Sequence, residues 1–435
     1  MKNWIKQLVP ATGQEWPAVA WAFGWFFMIM GGYMILRPIR ESFGASLSDE
    51  INYLYFAVFF VMLVVVPIFG WLVSKVNRRL LVRIAFHFFA LNIVIFGCVL
   101  FFLEQEQHLW VGRIYFVWVS VFNLFVVSLF WSVMADLFSA EQAKRLFGPI
   151  AAGATTGAIV GSAFTTWAST RLGIGVLMFV AAAMLELGLG FAAGLQRSTR
   201  EWKKSVHPTS PEMNSPKPDK SSDGLWAGML QVARSRYLIL ICVYLALTSA
   251  CGAAIYLQMA IYVGENIADS AERTQYFASI NFFVQAITLV LQLFVVGAVM
   301  RKLGVAVALI ALPLVYLFCL GALGIWQSLM VFAIVDVLRR SFVYGMSVPA
   351  REVLFTVVGR QAKYKSKNFI DTVVFRGSDA ASSSIFVWLG SFFQSLQTLN
   401  FVVLPLALVW AALGWRLGKS QVARQEQANN ADSRN

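Results

Sequence analysis

The sequence predicts an all-α integral membrane protein with twelve transmembrane helices. Of the 435 residues, 59% are hydrophobic and only 13% are charged, and the mean hydropathy is +0.68. A soluble globular chain carries about 25% charged residues, roughly twice this fraction. The apolar residues form runs of about 18 to 25, the length that an α-helix needs to cross a bilayer. Strand-length segments with strict alternation are absent, which argues against a β-barrel.

The predicted spans share this length and composition, and they cover residues 16–37, 51–74, 80–103, 110–134, 147–170, 174–195, 237–262, 274–300, 304–324, 327–347, 369–394 and 397–417. The segment 196–236 separates them and is rich in Ser, Pro and Lys. Because such a segment cannot bury a core, we expect a flexible cytoplasmic linker. The expected domains are six-helix bundles at 1–195 and 237–418 and a disordered cytoplasmic tail at 419–435.

The positions of the basic residues predict the orientation and explain the net charge of +13. Most of the 35 lysines and arginines lie in the N-terminal segment, the even-numbered loops and the tail. The odd-numbered loops contain only Arg37, Arg40, Arg113, Arg171 and Arg273. By the positive-inside rule both termini face the cytoplasm. The lipid bilayer therefore accounts for the basic composition, and no nucleic acid partner is expected.

The sequence lacks the patterns that are typical of enzymes, metal sites and cofactor sites. The four cysteines lie inside or beside apolar runs without CxxC spacing: Cys98, Cys242, Cys251 and Cys319. Neither a disulfide framework nor a zinc site follows from that spacing. The three histidines are scattered, and no Ser/His/Asp cluster or phosphate-binding glycine loop is found. We therefore expect no enzymatic activity, no metal and no cofactor.

A basic loop motif lies between spans two and three, in the segment GWLVSKVNRR. Its glycine and three cations are Gly70, Lys75, Arg78 and Arg79. The segment resembles the loop motif of the major facilitator superfamily, with Ser74 in place of the acidic residue. Glycines permit close helix approach, and cytoplasmic cations hold helix ends together. We expect these residues to take part in gating.

Two internal repeats favour two pseudo-symmetric bundles. The segment GAVMRKLGV, between spans eight and nine, repeats the basic loop pattern more loosely. The tripeptide QAK follows both span four and span ten, and after span four it supplies Lys144 and continues to Arg145. We include both residues in the predicted gating motif. Repeats of this kind are typical of two-half transporters, so we expect the major facilitator fold. A twelve-helix bundle of another architecture is the alternative.

Polar residues inside the spans predict a binding site. A charge in hydrocarbon costs at least about 2.5–3.5 kcal/mol, so it normally faces a cavity or a partner. The predicted substrate-binding residues all lie within a span or at its end: Arg37, Arg40, Asn123, Gln258, Asn281, Arg339, Arg340, Arg351 and Arg376. Arginines outnumber the acids near them, and guanidinium groups bind carboxylates and phosphates in a bidentate manner. The pattern therefore predicts an organic anion as the ligand.

Local ion pairing is the alternative interpretation of these arginines. Asp336 lies four residues before Arg340, which is the spacing of an ion pair on one helix. Asp379 similarly lies three residues after Arg376, and Glu41 is adjacent to Arg40. If such pairs form, the arginines are structural.

Glu186, in span six, has no obvious partner nearby in the sequence. An ionisable residue inside a span is a candidate for proton transfer. Glu186 is therefore the candidate proton carrier of an alternative function, the proton-coupled uptake of a neutral, peptide-like or lipophilic cargo. A packing hydrogen bond in its protonated state explains it equally well. The single histidine of span three, His87, is expected to be a packing residue.

Four segments in order along the chain resemble the ATP:ADP antiporter (nucleotide transporter) family of plastids and intracellular bacteria. They are YMILRPIRESF (33–43), FWSVMADLFSAEQAKRLFGPIAAGA (130–154), VPAREVLF (348–355) and YKSKNFIDTV (364–373). Arg40 and Arg351 stand at positions where that family has lysines. The resemblance implies an exchanger or facilitator of phosphorylated or carboxylated metabolites, including nucleotide-like ones. We expect it to act in a bacterial inner membrane by alternating access, and to be functional as a monomer.

Overall fold

A computed structural model describes residues 15–102, 108–206, 225–358, 366–367, 369–393 and 396–432. Within this part of the chain every regular element is helical, which confirms the all-α prediction. The α-helices in this part of the chain are α1 (Trp16–Ser46), α2 (Ile51–Lys75), α3 (Arg78–Phe102), α4 (His108–Leu137), α5 (Ala140–Val206), α6 (Leu225–Ala233), α7 (Arg236–Asn266), α8 (Ser270–Val290), α9 (Val296–Lys302), α10 (Gly304–Ile325), α11 (Leu329–Phe342), α12 (Val348–Leu354), α13 (Phe375–Gly390) and α14 (Leu396–Asp432). Among the described residues, nine helices are long and apolar enough to cross a membrane.

Predicted spans five and six lie on a single long element, α5, which kinks in the middle. Gly173, at the kink, has φ 78° and ψ 161°. Only glycine adopts a positive φ of this kind without a steric cost. The glycine therefore lets α5 supply two spans without an intervening loop.

Three predicted spans are interrupted by π-helical turns. Leu291–Val295 follows α8, Val343–Ser347 joins α11 to α12, and Ile370–Val374 precedes α13. Because these turns break the regular helix, spans ten and eleven consist of shorter helical pieces. A π-helical turn inside an α-helix frequently marks a functional site. Two of these turns adjoin helices that carry predicted binding-site arginines.

The chain divides into two compact units. Unit 1 comprises residues 1–43, 65–221 and 268–282, whereas unit 2 comprises 44–64, 222–267 and 283–435. Neither unit coincides with a predicted six-helix half, because the first part of α2 is grouped with unit 2 and the first part of α8 with unit 1. The division into bundles at 1–195 and 237–418 stays a prediction.

A glycine row on α5 determines how unit 1 packs around α1. Gly153, Gly157 and Gly161 are four residues apart, so they lie on one face of the helix. A Cβ atom at any of them would overlap the α1 backbone at Phe23, Phe27 or Gly31. The backbones of α1 and α5 are therefore in direct contact, as in membrane helix pairs with small residues at the interface.

Aromatic side chains fill the core of unit 1. The indole of Trp25 packs edge-on against Phe130 with ring centroids 5.0 Å apart, and Phe26 stacks on the same ring at 4.0 Å. All three residues are buried. Edge-to-face and offset aromatic pairs add stability beyond their buried area. This core fixes the rotation of α1 and hence the direction of its arginines.

The core of unit 2 joins three helices through another aromatic group. Trp410 of α14 packs against Tyr244 of α7 and Tyr316 of α10, with ring centroids 5.6 Å and 5.3 Å apart. The Tyr244 hydroxyl donates to the carbonyl of Leu309 at 2.8 Å. A buried hydroxyl needs such a partner. The group holds Tyr316 in a fixed position next to the charged residues of α11.

The two segments predicted to be flexible are partly helical. The last helix, α14, continues to Asp432, and its Arg424 guanidinium lies 4.7 Å from the Tyr237 ring. The structure thus corrects the predicted disordered tail up to Asp432, because Gln, Ala and Arg are good helix formers and extend the helix of the last span. In the predicted linker, α5 extends to Val206 and α6 begins at Leu225. Residues 207–224 lie outside the described part of the chain.

We expect Gly157→Ala to destabilise the protein, because the added methyl group would overlap the Phe27 carbonyl across the α1–α5 contact. Overpacking of this kind costs about 1–3 kcal/mol. Thermal unfolding in detergent should show a lower midpoint. Gly190→Ala is the matched control on the same helix, since no atom lies within 4 Å of its Cβ position. Equal midpoints for the two variants would contradict the close contact.

Candidate functional site

Arg37 and Arg40 of α1 make different contacts. The Arg37 Nε donates to Glu41 Oε1 at 3.0 Å, one helical turn away. The Arg40 Nε donates to the Phe116 carbonyl at 3.0 Å, and its guanidinium lies 3.8 Å from the centre of the Phe116 ring. Among the described residues no carboxylate contacts Arg40. The suggested pair of Glu41 with Arg40 is therefore wrong, and Glu41 neutralises Arg37 instead.

Asn281 of α8 is fully buried, and its amide donates to Glu41 Oε2 at 3.0 Å. Both carboxylate oxygens of Glu41 are thus hydrogen-bonded, one to Arg37 and one to Asn281. All three residues belong to unit 1. The structure therefore brings together two predicted binding residues, but around an acidic side chain of the protein.

A cluster of three charged side chains is buried in unit 2. Asp336 Oδ1 accepts from Arg339, and Asp336 Oδ2 accepts from the Arg340 Nη1 at 3.1 Å. The carboxylate is completely buried and the arginine side chains are only 9% and 7% exposed. Counted over these three side chains, positive charge exceeds negative charge by one. Spacings of three and four residues on α11 produce this arrangement.

Arg339 has more hydrogen-bonding capacity than its described neighbours satisfy. Its Nε atom is buried and, within the described part of the chain, has no hydrogen-bond partner. Tyr316 lies beside the guanidinium, and a Cβ atom at Gly252 would be 3.9 Å from Arg339 Nη1. A buried guanidinium donor without a partner costs free energy, unless a bound group satisfies it. This arrangement is suited to receiving an oxygen atom of an anion.

Arg376 of α13 lies near a second carboxylate of unit 2. Its Nη1 is 3.9 Å from Asp379 Oδ2, and Asp379 Oδ1 accepts from the Ser249 hydroxyl of α7. The predicted pair of Arg376 and Asp379 therefore forms, although it is long. A contact of this length holds the guanidinium loosely, and Arg376 stays 36% exposed.

Exposed apolar side chains of α13 lie at different angles around the helix from Arg376. Ile385 and Trp388 are 55% and 61% exposed. At 3.6 residues per turn they lie about 180° and 120° around the helix from Arg376. Large exposed apolar side chains on a membrane helix mark its lipid side. Val387, which is 42% exposed, lies only about 20° around the helix from Arg376, so these apolar side chains do not assign Arg376 to one side of α13.

Two segments of the family resemblance meet at the end of α12. The Arg351 Nη2 lies 3.7 Å from Asp371 Oδ1, and the Lys367 ammonium donates to both oxygens of Glu352 at 2.7 Å and 2.8 Å. These residues come from VPAREVLF and YKSKNFIDTV, which are separate in the sequence. Lys365 lies outside the described residues. The end of α12 therefore has two positive and two negative side chains, and the partner of Arg351 is Asp371.

Two uncharged candidates differ in their surroundings. Gln258 is fully buried and exchanges two hydrogen bonds with Asn400 of α14, at 2.7 Å and 2.9 Å. Such a reciprocal amide pair joins two membrane helices. Asn123 lies half-buried on α4. Neither residue contacts the arginine clusters described above, so a role in substrate binding stays a prediction for both.

One cation of the basic loop motif forms an ion pair between helix ends of unit 1. At the start of α3 the Arg78 Nε lies 3.0 Å from Asp136 Oδ2, near the end of α4. Lys75 and Arg79 are exposed, and no atom lies within 4 Å of the Cβ position of Gly70. Arg78 thus joins the start of α3 to the end of α4, and a role of the whole motif in gating stays a prediction.

The basic segment after α4 makes a corresponding contact. The Arg145 Nη2 donates to Glu15 Oε1 at 2.6 Å, and the same oxygen accepts from Gln142 at 3.1 Å. Glu15 immediately precedes α1 and is buried. The side chain of Lys144 is outside the described part of the chain. The local sequence gives no signal for these pairs, because their partners are more than a hundred residues apart.

Glu186 has a partner that the sequence did not reveal. The His87 Nδ1 lies 2.9 Å from Glu186 Oε1. This contact joins α3 to the part of α5 that follows the kink at Gly173. His87 is about 14 Å from the start of α3 at 1.5 Å per residue, near the middle of a hydrocarbon layer of about 30 Å. His87 therefore makes a polar contact with another helix, and its role as a packing residue stays a prediction. Both side chains are largely exposed, beside the exposed apolar residues Phe88 and Leu187.

The chain is similar to known membrane carriers in sequence. A family model described as the Major Facilitator Superfamily matches residues 18–362. The ADP,ATP carrier protein 1 of Chlamydia pneumoniae is 21% identical over 358 residues, covering 73% of this chain and 69% of the carrier. The carrier of the same name from Chlamydia muridarum is 19% identical over 349 residues, covering 71% and 65%. The match thus spans about two thirds of the length of these carriers.

Solved structures show the same fold at low sequence identity. The nucleoside transporter NupG has a TM-score of 0.60 at 12% identity, covering 93% of this chain and 99% of that one. A bacterial homologue of the iron transporter ferroportin has a TM-score of 0.61 at 12%, covering 92% and 98%. The peptide transporter POT in complex with alafosfalin has a TM-score of 0.59 at 17%, covering 96% and 99%. With a family model matched from residue 18 to 362, the protein belongs to the Major Facilitator Superfamily and is a multi-pass membrane transporter, not an enzyme.

Proposed function

We propose that the protein is a secondary transporter that moves a small organic anion across a bacterial inner membrane by alternating access, with both termini in the cytoplasm. The cargo is a phosphorylated or carboxylated metabolite. The ADP,ATP carriers among its relatives make nucleotides the first group to test.

The observation that carries this proposal is the buried guanidinium of Arg339. It shares the single carboxylate of Asp336 with Arg340, and its Nε has no hydrogen-bond partner among the described residues. In a membrane interior, electrostatic attraction is stronger than in water because the dielectric constant is low. A phosphate or carboxylate oxygen next to Arg339 would satisfy the open donor and balance the additional charge.

Arg376 and Arg40 support the same cargo class. Arg376 is held only loosely by Asp379 and is 36% exposed. Arg40 rests on a carbonyl and an aromatic ring, so its positive charge is not neutralised by a described carboxylate. Arginine binds phosphate and carboxylate oxygens through two parallel hydrogen bonds. These residues are the proposed contacts for anionic cargo besides Arg339.

A second function, proton-coupled uptake of a neutral or lipophilic cargo, is favoured by the pair of His87 and Glu186. An imidazole and a carboxyl group in hydrogen-bond contact hold an exchangeable proton. In this function the arginines are structural. Because His87 and Glu186 lie beside exposed apolar residues, on the side of the helices that faces lipid, proton coupling at this pair is the second candidate function.

We expect Arg339→Gln to reduce anion uptake at least tenfold in proteoliposomes, because a hydrogen bond from a charged group contributes about 1.5–3 kcal/mol and 1.4 kcal/mol corresponds to tenfold. The panel is labelled ATP, ADP, glycerol 3-phosphate and succinate. Arg301→Gln, which changes an exposed arginine of α9, is the control. Uptake unchanged in Arg339→Gln at equal protein content would contradict the assignment of Arg339.

Asp336→Asn should lower stability by about 3–5 kcal/mol, because it leaves two buried guanidinium groups without their shared carboxylate. Denaturation of the purified protein in detergent measures this loss. Glu265→Gln changes an exposed carboxylate at the end of α7 and should have little effect. A stable Asp336→Asn protein would mean that another group balances the arginines.

For the second function, Glu186→Gln and His87→Gln should each abolish uptake driven by an inward proton gradient. Neither variant can hold the proton between an acid and a base. Peptide and nucleoside uptake with and without a pH gradient provides the measurement, and Glu272→Gln provides an exposed-carboxylate control. Uptake that is insensitive to the gradient and to both variants would exclude proton coupling at this pair.

A further inference from the structure

Glu41 is a buried acidic residue that the proposed function does not use. It is 3% exposed, and its two oxygens accept hydrogen bonds from Arg37 and from Asn281, each at 3.0 Å. Arg37 is on the same helix as Glu41, whereas Asn281 is on α8. Hydrogen bonds to an ionised carboxylate are stronger than those between neutral groups. Glu41 is therefore the charged centre of the contact between α1 and α8.

Further polar contacts lie around Glu41 in unit 1. The Ser42 hydroxyl donates to the Ser270 carbonyl at 3.2 Å, and the Arg273 Nε donates to the Ser42 oxygen at 3.4 Å. We call these contacts, together with the bond between Glu41 and Asn281, the polar seam. The contacts of Ser42 lie at the end of α1 and the start of α8, away from the basic loops, and Asn281 lies farther along α8. By the positive-inside rule, this end faces the outside.

The seam joins helices that the sequence assigns to different halves of the chain. Helix α1 belongs to the predicted N-terminal bundle and α8 to the predicted C-terminal bundle. In alternating access one bundle moves against the other, so that each end of the pathway opens in turn. Contacts that join the two bundles at one end have to break when that end opens. The seam is made of hydrogen bonds, which can be exchanged for bonds to water.

The position of Arg37 allows α1 and α8 to separate without leaving the buried carboxylate of Glu41 unpaired. Because Arg37 and Glu41 are four residues apart on α1, they move together. Separation of α1 from α8 removes the bond from Asn281 and leaves the ion pair intact. The charge of Glu41 thus keeps Arg37 as its counter-ion while the hydrogen bond from Asn281 breaks.

We propose that Glu41 is a positioning residue of the transport cycle, which closes the outer end of the pathway by holding Asn281 and releases it when that end opens. This inference rests on the proposed alternating-access function. It reassigns Arg37 and Asn281 from cargo binding to closure of the pathway. Glu41 acts through Asn281 and does not contact the cargo.

Cross-linking the seam tests this role. Ser42→Cys and Ser270→Cys are combined in a background whose four native cysteines are replaced by alanine. Oxidation, or a short bismaleimide, should join the two cysteines and reduce uptake of the best-transported panel anion at least tenfold. Reduction of the disulfide should restore uptake. The two single-cysteine variants, treated in the same way, are the controls.

The outcomes separate this inference from the proposed function. Normal uptake after complete cross-linking would overturn the proposed opening of the seam, while the transport of anions would stand. If neither reagent joins the cysteines, the seam does not form and the inference fails. If the wild-type protein takes up none of the panel anions, the proposed cargo is wrong, and the seam is then judged by the labelling experiment below.

Labelling tests Glu41 without any cargo. Ser42 is 3% exposed, so a Ser42→Cys protein should react slowly with a membrane-impermeant maleimide applied to intact cells. Glu41→Gln keeps the size of the side chain and removes its charge, which should weaken the seam and increase the labelling rate several-fold. Glu272→Gln, on α8, should leave the rate unchanged. Equal rates in Glu41→Gln and Glu272→Gln would show that Glu41 does not hold the outer end closed.

Discussion

The cost of a charged side chain in hydrocarbon is the constraint on which the rest of this structure depends. The carboxylates of Asp336, Glu41 and Asp379 meet it with specific donors on defined helices. Asp336 accepts from two arginines, Glu41 from Arg37 and Asn281, and Asp379 from Ser249. Each of these contacts requires its helix to keep one rotation about its own axis, and the aromatic cores and the glycine row on α5 supply that rotation.

The same constraint narrows the chemistry of the cargo. Counting residues along the spans suggests a wide cationic path, but Arg37, Arg351 and Arg376 each have an acidic neighbour in the structure. Among the described residues, Arg40 contacts a carbonyl and an aromatic ring, and Arg339 and Arg340 share the carboxylate of Asp336. Under the proposed function, a phosphate or carboxylate group of the cargo would interact with these cations in an environment of low dielectric constant.

Helix α1 is held by two kinds of contact that differ in how easily they open. Towards α5 its backbone touches a row of glycines, and separation would expose tightly packed apolar surface. Towards α8 it makes hydrogen bonds that water can replace. The physical difference between these contacts indicates which one can change during a transport cycle. It also explains why two predicted cargo contacts, Arg37 and Asn281, fit a role in closure better.

The sequence by itself determined the all-α membrane class and the resemblance to a transporter family, and it offered the ion pair between Arg376 and Asp379 as an alternative, because apolar run length, motif order and helical spacing are local properties. The four-residue spacing of Asp336 and Arg340 on one helix also predicted that these two side chains lie close together. Only the tertiary structure decided that Glu41 binds Asn281, that Glu186 binds His87 and that Gln258 binds Asn400. These partners are 99 to 240 residues apart, and helix rotation and packing, which no local pattern encodes, bring them together.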